Sequence, residues 1–540
     1  MFHQLLTPVG NSLGLSLLVA VLPVLTVLLL LGVLRRPAWQ AALAGLVVGL
    51  LVAILPWKMP VALALHAALN GATFALWPVM WIVLNALLLY NIAVKSGRFD
   101  AFKNWILAHL PDDRRVVLVV IGFCFGALLE GVSGFGTPVA ITSSLLILLG
   151  FPSLDALVFV LIFNTAPVAF GALGAPVTVL GAVTSLPAQT LAAMIGRQLP
   201  VMALILPFYV MALYGGWRSV RALWPMLLVT GGSFGIVQFL ASNFVDYTLT
   251  DVLSSLGSLV VTLLFLRIWR PQPDPAFLIR ESSPAGGSGP AAVPPWQGWL
   301  PWVIVAATVI LWTTFKVAAI GQQNIPWPYL HKAIAITLYH DKPYAAIWSF
   351  QPLGTGTAIL VACVITAVLL RLSAADFAAC MGQTLRQLWL AVITVMLIVA
   401  LAYLMNYSGI AYTLGEGAAS TGRLFILFSP FLGWLAVMLS GSDTSGNALF
   451  GNLQVVAARQ LGLSPILFAA TNSSGGVMGK MISPQNIATG VAVTDLKGRE
   501  GIVFARTFLH SVALTIILVV LVAVQQYLIP WIIPVVAGSP

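Results

Sequence analysis

The sequence predicts an all-α polytopic membrane protein with about twelve transmembrane crossings, two re-entrant hairpins and an inverted-topology repeat. Hydrophobic residues make up 60% of the 540 residues and charged residues only 7%, and apolar runs of roughly 20 residues recur. Two polar, glycine-rich segments are each flanked by short apolar arms. The order of span, hairpin and broken helix occurs twice, at an offset of 307–312 residues.

The first half, residues 1–269, contains a predicted hairpin at 116–150 whose arms enclose the tip EGVSGFGTP at 130–138. The apolar stretch 157–195 is too long for one span and is interrupted by polar residues, glycine and proline at 164–176. We therefore expect a broken helix there. The ordinary spans of this half are predicted at 13–34, 38–55, 73–94, 201–214, 223–244 and 252–269.

A segment rich in proline, glycine and serine at 270–299 predicts a flexible linker to the second half, residues 300–540. The second hairpin is predicted at 427–458 around the tip SGSDTSG, and the second broken helix at 466–493. The hairpin arms look too short to cross a hydrocarbon core of about 30 Å. The ordinary spans of this half are predicted at 300–318, 354–370, 386–405 and 505–528.

The distribution of basic residues predicts that both termini lie outside. With that orientation, 17 of the 25 Lys and Arg residues fall on the cytoplasmic side, seven fall outside, and Lys480 falls in the membrane. The net charge of +10 is spread one or two residues at a time over span ends, which argues against a nucleic-acid partner. The three cysteines lie in apolar surroundings without metal-type spacing, so no metal or cofactor is predicted.

Three ionisable residues break the internal repeat, since Glu130, Asp443 and Lys480 align with neutral residues of the other half. A charge near the bilayer centre costs about 2.5–3.5 kcal/mol on insertion scales. The same backbone tolerates neutral residues at these positions, so we interpret the charges as functional. Broken helices of inverted repeats meet at the midplane, where transporters bind substrate.

Ser483 and Pro484 predict a helix start, with Ser483 as the N-cap and Pro484 at the first helical position. Free N–H groups at such a start, together with Lys480, suit a small anion. Asp443 is the first candidate for carrying a coupled proton, and Glu130 is the second. The candidate substrate-binding residues are Lys480, Ser442, Thr444, Ser445, Asn472, Ser473, Ser474, Ser483, Asn164, Thr165, Ser133 and Thr137. The sequence offers neither a paired nucleophile and base nor a metal cluster, so an enzyme is not predicted.

Four runs of sequence resemble the bacterial L-lactate permease family, and the resemblance covers essentially the whole chain. The runs are EGVSGFGTPVAI at 130–141, FNTAPVAFGALGAP at 163–176, SGSDTSGNALFGNLQ at 440–454 and NSSGGVMGKMISPQNI at 472–487. The resemblance implies a proton-coupled symporter of the cytoplasmic membrane that imports L-lactate and related 2-hydroxy monocarboxylates such as D-lactate and glycolate. The layout also resembles the wider ion-transporter superfamily, whose members move a substrate-carrying domain as an elevator.

The sequence leaves one close alternative open, a sodium-coupled carboxylate transporter of the same architecture. Unwound backbone together with Asn, Ser and Thr oxygens suits Na⁺ as well as a 2-hydroxy acid. The partners expected in either case are the lipid bilayer, the small-molecule substrate and the coupling ion. The sequence is compatible with a homo-oligomer.

Overall fold

The computed structural model describes residues 1–134, 136–279 and 293–535, and these residues are mostly helical. The helices of the first half are α1 Leu13–Ala20, α2 Leu22–Gly32, α3 Ala38–Ile54, α4 Val61–Phe74, α5 Trp81–Lys95, α6 Arg98–Ala108, α7 Arg114–Val117, α8 Gly126–Val132, α9 Thr137–Leu148, α10 Ser153–Phe163, α11 Gly171–Thr184, α12 Ala188–Ile195, α13 Leu199–Phe244 and α14 Thr250–Ile268. Those of the second half are α15 Leu300–Thr314, α16 Thr355–Leu369, α17 Ala374–Ser408, α18 Ile410–Ala419, α19 Phe425–Ser440, α20 Asp443–Gln460, α21 Pro465–Lys480, α22 Pro484–Val491 and α23 Glu500–Tyr527.

In the described part of the chain, eight helical segments are long and apolar enough to cross a membrane, or up to ten if two bent pairs each count as one span. The prediction of a helical, multi-pass membrane protein is therefore confirmed. Some boundaries differ. Val61–Lys95 forms one long helical segment, so the span predicted at 73–94 begins earlier than expected. Helix α13 contains both spans predicted at 201–214 and 223–244 and is interrupted at Gly216, whose φ is 66°.

The first arm of each hairpin is longer than predicted. Helical structure runs without interruption over Arg114–Val132 and over Gly422–Ser440, each 19 residues, or about 28 Å at 1.5 Å per residue. The prediction ended these arms just before Glu130 and Ser440, but both residues continue the helices because the protein satisfies their side chains. Ser440 Oγ, for example, donates to the carbonyl oxygen of Ala436 at 2.7 Å.

The hairpin tips are correspondingly short. The first hairpin turns between α8 and α9, and the second turns at Gly441 and Ser442 between α19 and α20. Gly441 has a φ of 72°, which glycine adopts without strain. Two charged residues predicted on tips therefore lie on helices: Glu130 within α8 and Asp443 at the first position of α20.

The two broken helices differ in where they break. In the first half the chain leaves α10 at Asn164 and regains regular helix only after Gly174, as predicted. In the second half α21 continues without a break to Lys480, so the helix predicted as broken within 466–493 breaks only at 481–483, after its glycines. The glycines of α21 serve helix packing, because a Cβ at Gly475 or Gly479 would overlap the backbone of α19.

Five short strands lie among the connections: β1 Phe2–His3, β2 Gln323–Pro326, β3 Ile334–Ile336, β4 Lys342–Pro343 and β5 Ile347–Phe350. β1 pairs in parallel with β3, β3 with β4 and β2 with β5, both antiparallel. The chain start is thereby joined to the connection between α15 and α16. The sequence analysis did not predict these strands.

Contacts between connecting segments join parts that the predicted topology puts on one side. Lys95 Nζ lies 3.4 Å from Asp376 Oδ1, and Asp113 forms a β-bridge with Leu278. The described ends of the predicted linker thus pack on the connection between α5 and α7. The centre of that linker, residues 280–292, lies outside the described residues.

Candidate functional site

The hairpin tips and the breaks of both halves converge on one small cavity of about 40 Å³, here called the central cavity. It is lined by Glu130, Gly134, Val168, Gly171, Ala172, Pro176, Gly441, Ser442, Asp443, Thr444, Lys480 and Gln485. One water needs about 10–15 Å³ of such space. In this conformation the cavity therefore has room for a few waters, and a larger solute requires the walls to separate.

A buried ion pair crosses the cavity from one half of the chain to the other. Lys480 Nζ donates to Glu130 Oε1 at 2.6 Å, and the two residues are only 5% and 2% exposed. Asn164 Nδ2 donates to the other oxygen, Glu130 Oε2, at 3.0 Å. The sequence left open whether Lys480 pairs with Asp443; its partner is Glu130. Losing one member of such a pair strands a charge away from water.

Glycine makes room for this ion pair on the first broken helix. A Cβ at Gly171 would lie 2.8 Å from Glu130 Oε1, closer than side-chain carbons approach. The next three residues, 172–174, all have positive φ, which turns the chain sharply under the carboxylate. The backbone of the break thus forms one wall of the cavity at the ion pair.

Asp443 also lines the central cavity, and only one of its carboxylate oxygens has hydrogen-bond partners in the part of the chain that the structure describes. Its Oδ2 accepts hydrogen bonds from Ser473 Oγ at 2.5 Å and from Asn447 Nδ2 at 3.2 Å. Its Oδ1 is buried and has no hydrogen-bond partner among the described residues. The helix is capped by Ser442, whose Oγ accepts from the Ser445 N–H at 3.3 Å. Asp443 is therefore not the N-cap of α20.

The predicted helix start at Ser483 and Pro484 is confirmed. Ser483 is the N-cap of α22, and its Oγ accepts from the Asn486 N–H at 3.3 Å. Asn486 in turn donates through Nδ2 to the Lys480 carbonyl oxygen at 3.2 Å. The break that follows Lys480 is thus fixed by two local side chains, and Lys480 is the last residue of α21.

Several predicted site residues form hydrogen bonds to other protein groups and do not line the cavity. Ser474 Oγ donates to Gln198 Oε1 at 2.7 Å, and Asn472 Nδ2 donates to Asn447 Oδ1 at 3.0 Å. Thr165 and Ser133 donate to carbonyl oxygens of their own helical turns. Thr137, Ser483, Asn164 and Ser473 are not among the cavity-lining residues, although the last two bind its carboxylates. Of the predicted set, Lys480, Ser442, Thr444, Asp443 and Glu130 line the central cavity directly.

Two residues near the cavity escaped the sequence analysis. Gln485, the second residue of α22, lies beside Gly441 and lines the central cavity. Asp251 on α14 is a third buried carboxylate, close to Gly131. Gln485 directly follows the predicted helix start, which was a usable signal. The sequence around Asp251 gave no such signal, because an acid in the first turn of a helix is an ordinary helix-start pattern.

Larger cavities lie toward both ends of the central one. A cavity of about 180 Å³, the Trp39 cavity, lies between α3, α17 and the second hairpin and shares Ser442 and Gln485 with the central cavity. A cavity of about 560 Å³, the Tyr344 cavity, adjoins the far end of α11. Helix α11 thus runs from the central cavity, at Pro176, to the Tyr344 cavity, at Gly181 and Ala182.

A multi-pass helical bundle whose hairpin tips enclose a buried ion pair between two larger cavities has the construction of a membrane transporter. The model of the L-lactate permease family matches residues 16–529, and the chain belongs to that family. Its members are transporters and not enzymes.

The relatives extend over the full chain. The L-lactate permease of Escherichia coli (strain K12) is 42% identical over 99% of this chain and 100% of its own length. The glycolate permease GlcA of the same organism is 40% identical, covering 97% and 98%. The L-lactate permease of Bacillus subtilis (strain 168) is 39% identical, covering 98% and 99%. Among solved structures, Neisseria gonorrhoeae MtrF, of a class of antimetabolite efflux pumps, shares the fold with a TM-score of 0.51 at 14% identity, covering 95% and 99%.

Proposed function

We propose that the protein imports L-lactate and related small 2-hydroxy monocarboxylates, including D-lactate and glycolate, across the cytoplasmic membrane together with a proton. Membership of the family and the names of its relatives support this substrate class. The observation that carries the coupling is the ion pair between Glu130 and Lys480, which joins the two halves at the central cavity.

The proposed coupling is a competition for Lys480. The lactate carboxylate takes the place of Glu130 on the Lys480 ammonium, since both are carboxylates and the cavity holds one such cation. Glu130 would then be a buried carboxylate with a single neutral donor, Asn164, which is costly while it stays ionised. It takes up a proton instead. One anion and one proton enter the site, so its net charge is unchanged.

This proposal reverses the order of the two acids given by the sequence. Asp443 keeps its two donors from Ser473 and Asn447 whether or not Lys480 is occupied by substrate. We assign it to substrate recognition, with its unpartnered Oδ1 accepting from the substrate hydroxyl. Thr444 and Gln485 also line the central cavity and contribute further polar contacts.

The transport cycle follows from the flanking cavities. The Trp39 cavity reaches the central cavity at Ser442 and Gln485, so movement of the second hairpin tip would open one route. The Tyr344 cavity marks the other route along α11. With twelve crossings, external termini and an inverted repeat relating residues 1–269 to 300–540, an elevator-type motion of the domain holding the site supplies alternating access. The same-side contacts between connecting segments support that topology.

Sodium coupling is the second candidate, and one observation favours it. Asp443 Oδ2 and Ser473 Oγ are two oxygens 2.5 Å apart, and the neighbouring Asp443 Oδ1 has no partner among the described residues, so up to three oxygens of the kind that bind Na⁺ lie together here. In this variant Asp443 binds the cation and Glu130 stays ionised throughout.

The test is uptake of labelled L-lactate into proteoliposomes under separately imposed proton and sodium gradients, with unlabelled D-lactate, glycolate and propionate as competitors. We expect accumulation with an inward proton gradient in sodium-free buffer and competition by the two hydroxy acids. Propionate, which lacks the hydroxyl, serves as the matched control and should compete weakly. Accumulation that requires sodium would replace the proton mechanism, and no accumulation under either gradient would refute coupled import.

A further inference from the structure

Asp251 is a buried carboxyl group for which the proposed transport step has no use. It lies in the first turn of α14 and is 0% exposed. Neither Oδ1 nor Oδ2 has a hydrogen-bond partner within the described ranges. By contrast, Asp246 just before the same helix bonds the Thr248 N–H and the hydroxyls of Thr248 and Thr313. Asp251 thus lacks hydrogen-bond partners in the described part of the chain, although Asp246, at the same helix end, has three.

Asp251 packs on the helix that carries Glu130. A Cβ at Gly131, the residue after Glu130, would be 2.7 Å from Asp251 Cβ, so the two chains touch there. Gly131 directly follows Glu130 on α8, and Glu130 is paired with Lys480 on α21. Helices α11 and α15, which also pack near α14, contain no ionisable residue. Asp251 is thus an acid beside the turn of α8 that carries Glu130, and we refer to Asp251, Glu130 and Lys480 together as the cluster.

The charges of this cluster constrain its protonation. Glu130 and Lys480 neutralise each other at 2.6 Å, which leaves no cation to compensate an ionised Asp251. A fully buried carboxylate without a hydrogen-bond donor is strongly disfavoured against the neutral acid. The geometry is therefore that of a protonated carboxyl group held next to a paired carboxylate.

We propose that Asp251 holds a proton in this state and passes it to Glu130 when the substrate carboxylate takes Lys480. This inference rests on the proposed function and names the group that supplies its proton. The O–H bond on Asp251 breaks as an O–H bond on Glu130 forms, directly or through water. Asp251 is left ionised and then takes a proton from the side of higher proton concentration. When the substrate leaves on the cytoplasmic side, the O–H bond on Glu130 breaks, its proton is released to that side and Glu130 pairs with Lys480 again, so one proton enters per cycle.

A purely structural acid would behave differently from a relay. Asn has nearly the shape of a neutral Asp and cannot transfer a proton, so Asp251→Asn should preserve folding. It should slow gradient-driven lactate uptake by at least about tenfold, since positioned proton-transfer groups typically contribute 10²–10⁴-fold. Exchange of internal for external lactate needs no net proton transfer and should change less than about twofold. Asp251→Glu restores a proton carrier and should recover part of the uptake.

Two measurements on the full chain test the assignment. The first compares net uptake and exchange in proteoliposomes for the wild type, the two Asp251 variants and Asp246→Asn, which removes a hydrogen-bonded carboxylate from the same helix end as the matched control. The second is infrared difference spectroscopy of the purified protein at neutral pH, in which one component of the neutral carboxyl carbonyl absorption should be lost in Asp251→Asn and kept in Asp443→Asn.

These measurements distinguish failure of the relay from failure of the proposed function. If the wild type fails to accumulate lactate, the proposed function is wrong, and the infrared band alone decides whether Asp251 is protonated. Net uptake by Asp251→Asn equal to wild type refutes the relay. A neutral carboxyl absorption that is absent from wild type, or whose intensity is unchanged in Asp251→Asn, refutes it independently. Equal losses of uptake and exchange would mark Asp251 as structural and refute it as well.

Discussion

Replacing Glu130 by Gln should tighten lactate binding, although it removes half of the only ion pair that lines the described central cavity. Gln cannot lose a proton, so the variant imitates the protonated Glu130 of the loaded state. Its amide oxygen can still accept from Asn164, which bonds Glu130 at 3.0 Å. Lys480 is then available to substrate without displacement of a competitor.

The size of the effect follows from the contact that substrate no longer has to break. A hydrogen bond between charged groups contributes about 1.5–3 kcal/mol net. Lys480 and Glu130 are joined by one such bond at 2.6 Å, both buried. Removing the competitor should therefore lower the Kd for lactate by roughly 10–150-fold at a pH where wild-type Glu130 is ionised.

The pH dependence of the Kd for lactate tests the same competition in a second way. In the wild type one proton accompanies lactate, so the Kd should rise about tenfold per pH unit wherever Glu130 is ionised in the empty site. In Glu130→Gln that slope should disappear. Titration calorimetry of detergent-solubilised protein at several pH values measures both effects, with Asp155→Asn as a control that removes an acid remote from the cavity. Weaker binding, or an unchanged slope, would refute the competition for Lys480.

Three further substitutions test other parts of the site. Lys480→Met should abolish lactate binding in calorimetry. It should also destabilise the protein by about 3–5 kcal/mol, because it leaves Glu130 buried without its cation. The double variant Lys480→Met with Glu130→Gln should regain most of that stability in thermal unfolding. Independent, additive losses would argue against a coupled pair. Asp443→Asn should keep proton-driven accumulation in proteoliposomes but weaken the preference for lactate over propionate. If this variant exchanges lactate but does not accumulate it, Asp443 and not Glu130 carries the coupled proton. Gly171→Ala should push Glu130 off Lys480, at a packing cost of about 1–3 kcal/mol, and reduce lactate uptake, whereas normal uptake would show that the ion pair tolerates displacement.

Composition and periodicity were sufficient for the helical membrane fold, because long apolar runs have few alternatives to spanning a bilayer. Local patterns also located the second helix restart, since Ser483 and Pro484 act through their own backbone neighbours. The glycines of α21 misled the prediction. Glycine is used both for breaks and for close helix packing, and only the position of α19 distinguishes the two uses.

The partners of the charged residues were not predictable in the same way. Glu130 and Lys480 are 350 positions apart, and a single sequence contains no signal that pairs them. The repeat identified both as exceptional but aligned each with a neutral residue. Asp251 was overlooked because the sequence around it is typical of a helix start, whereas its significance depends on the contact with Gly131. The pairing of β1 with β3 also depends on distant segments.

The most direct test of the central claim counts the protons that accompany lactate binding. Calorimetric titrations of the purified wild type at one pH, in buffers of different ionisation enthalpy, give the number of protons taken up per lactate. The competition between substrate and Glu130 for Lys480 predicts uptake approaching one proton in the wild type and none in Glu130→Gln. Binding of lactate to the wild type without proton uptake, at a pH where accumulation is gradient-driven, would contradict the account.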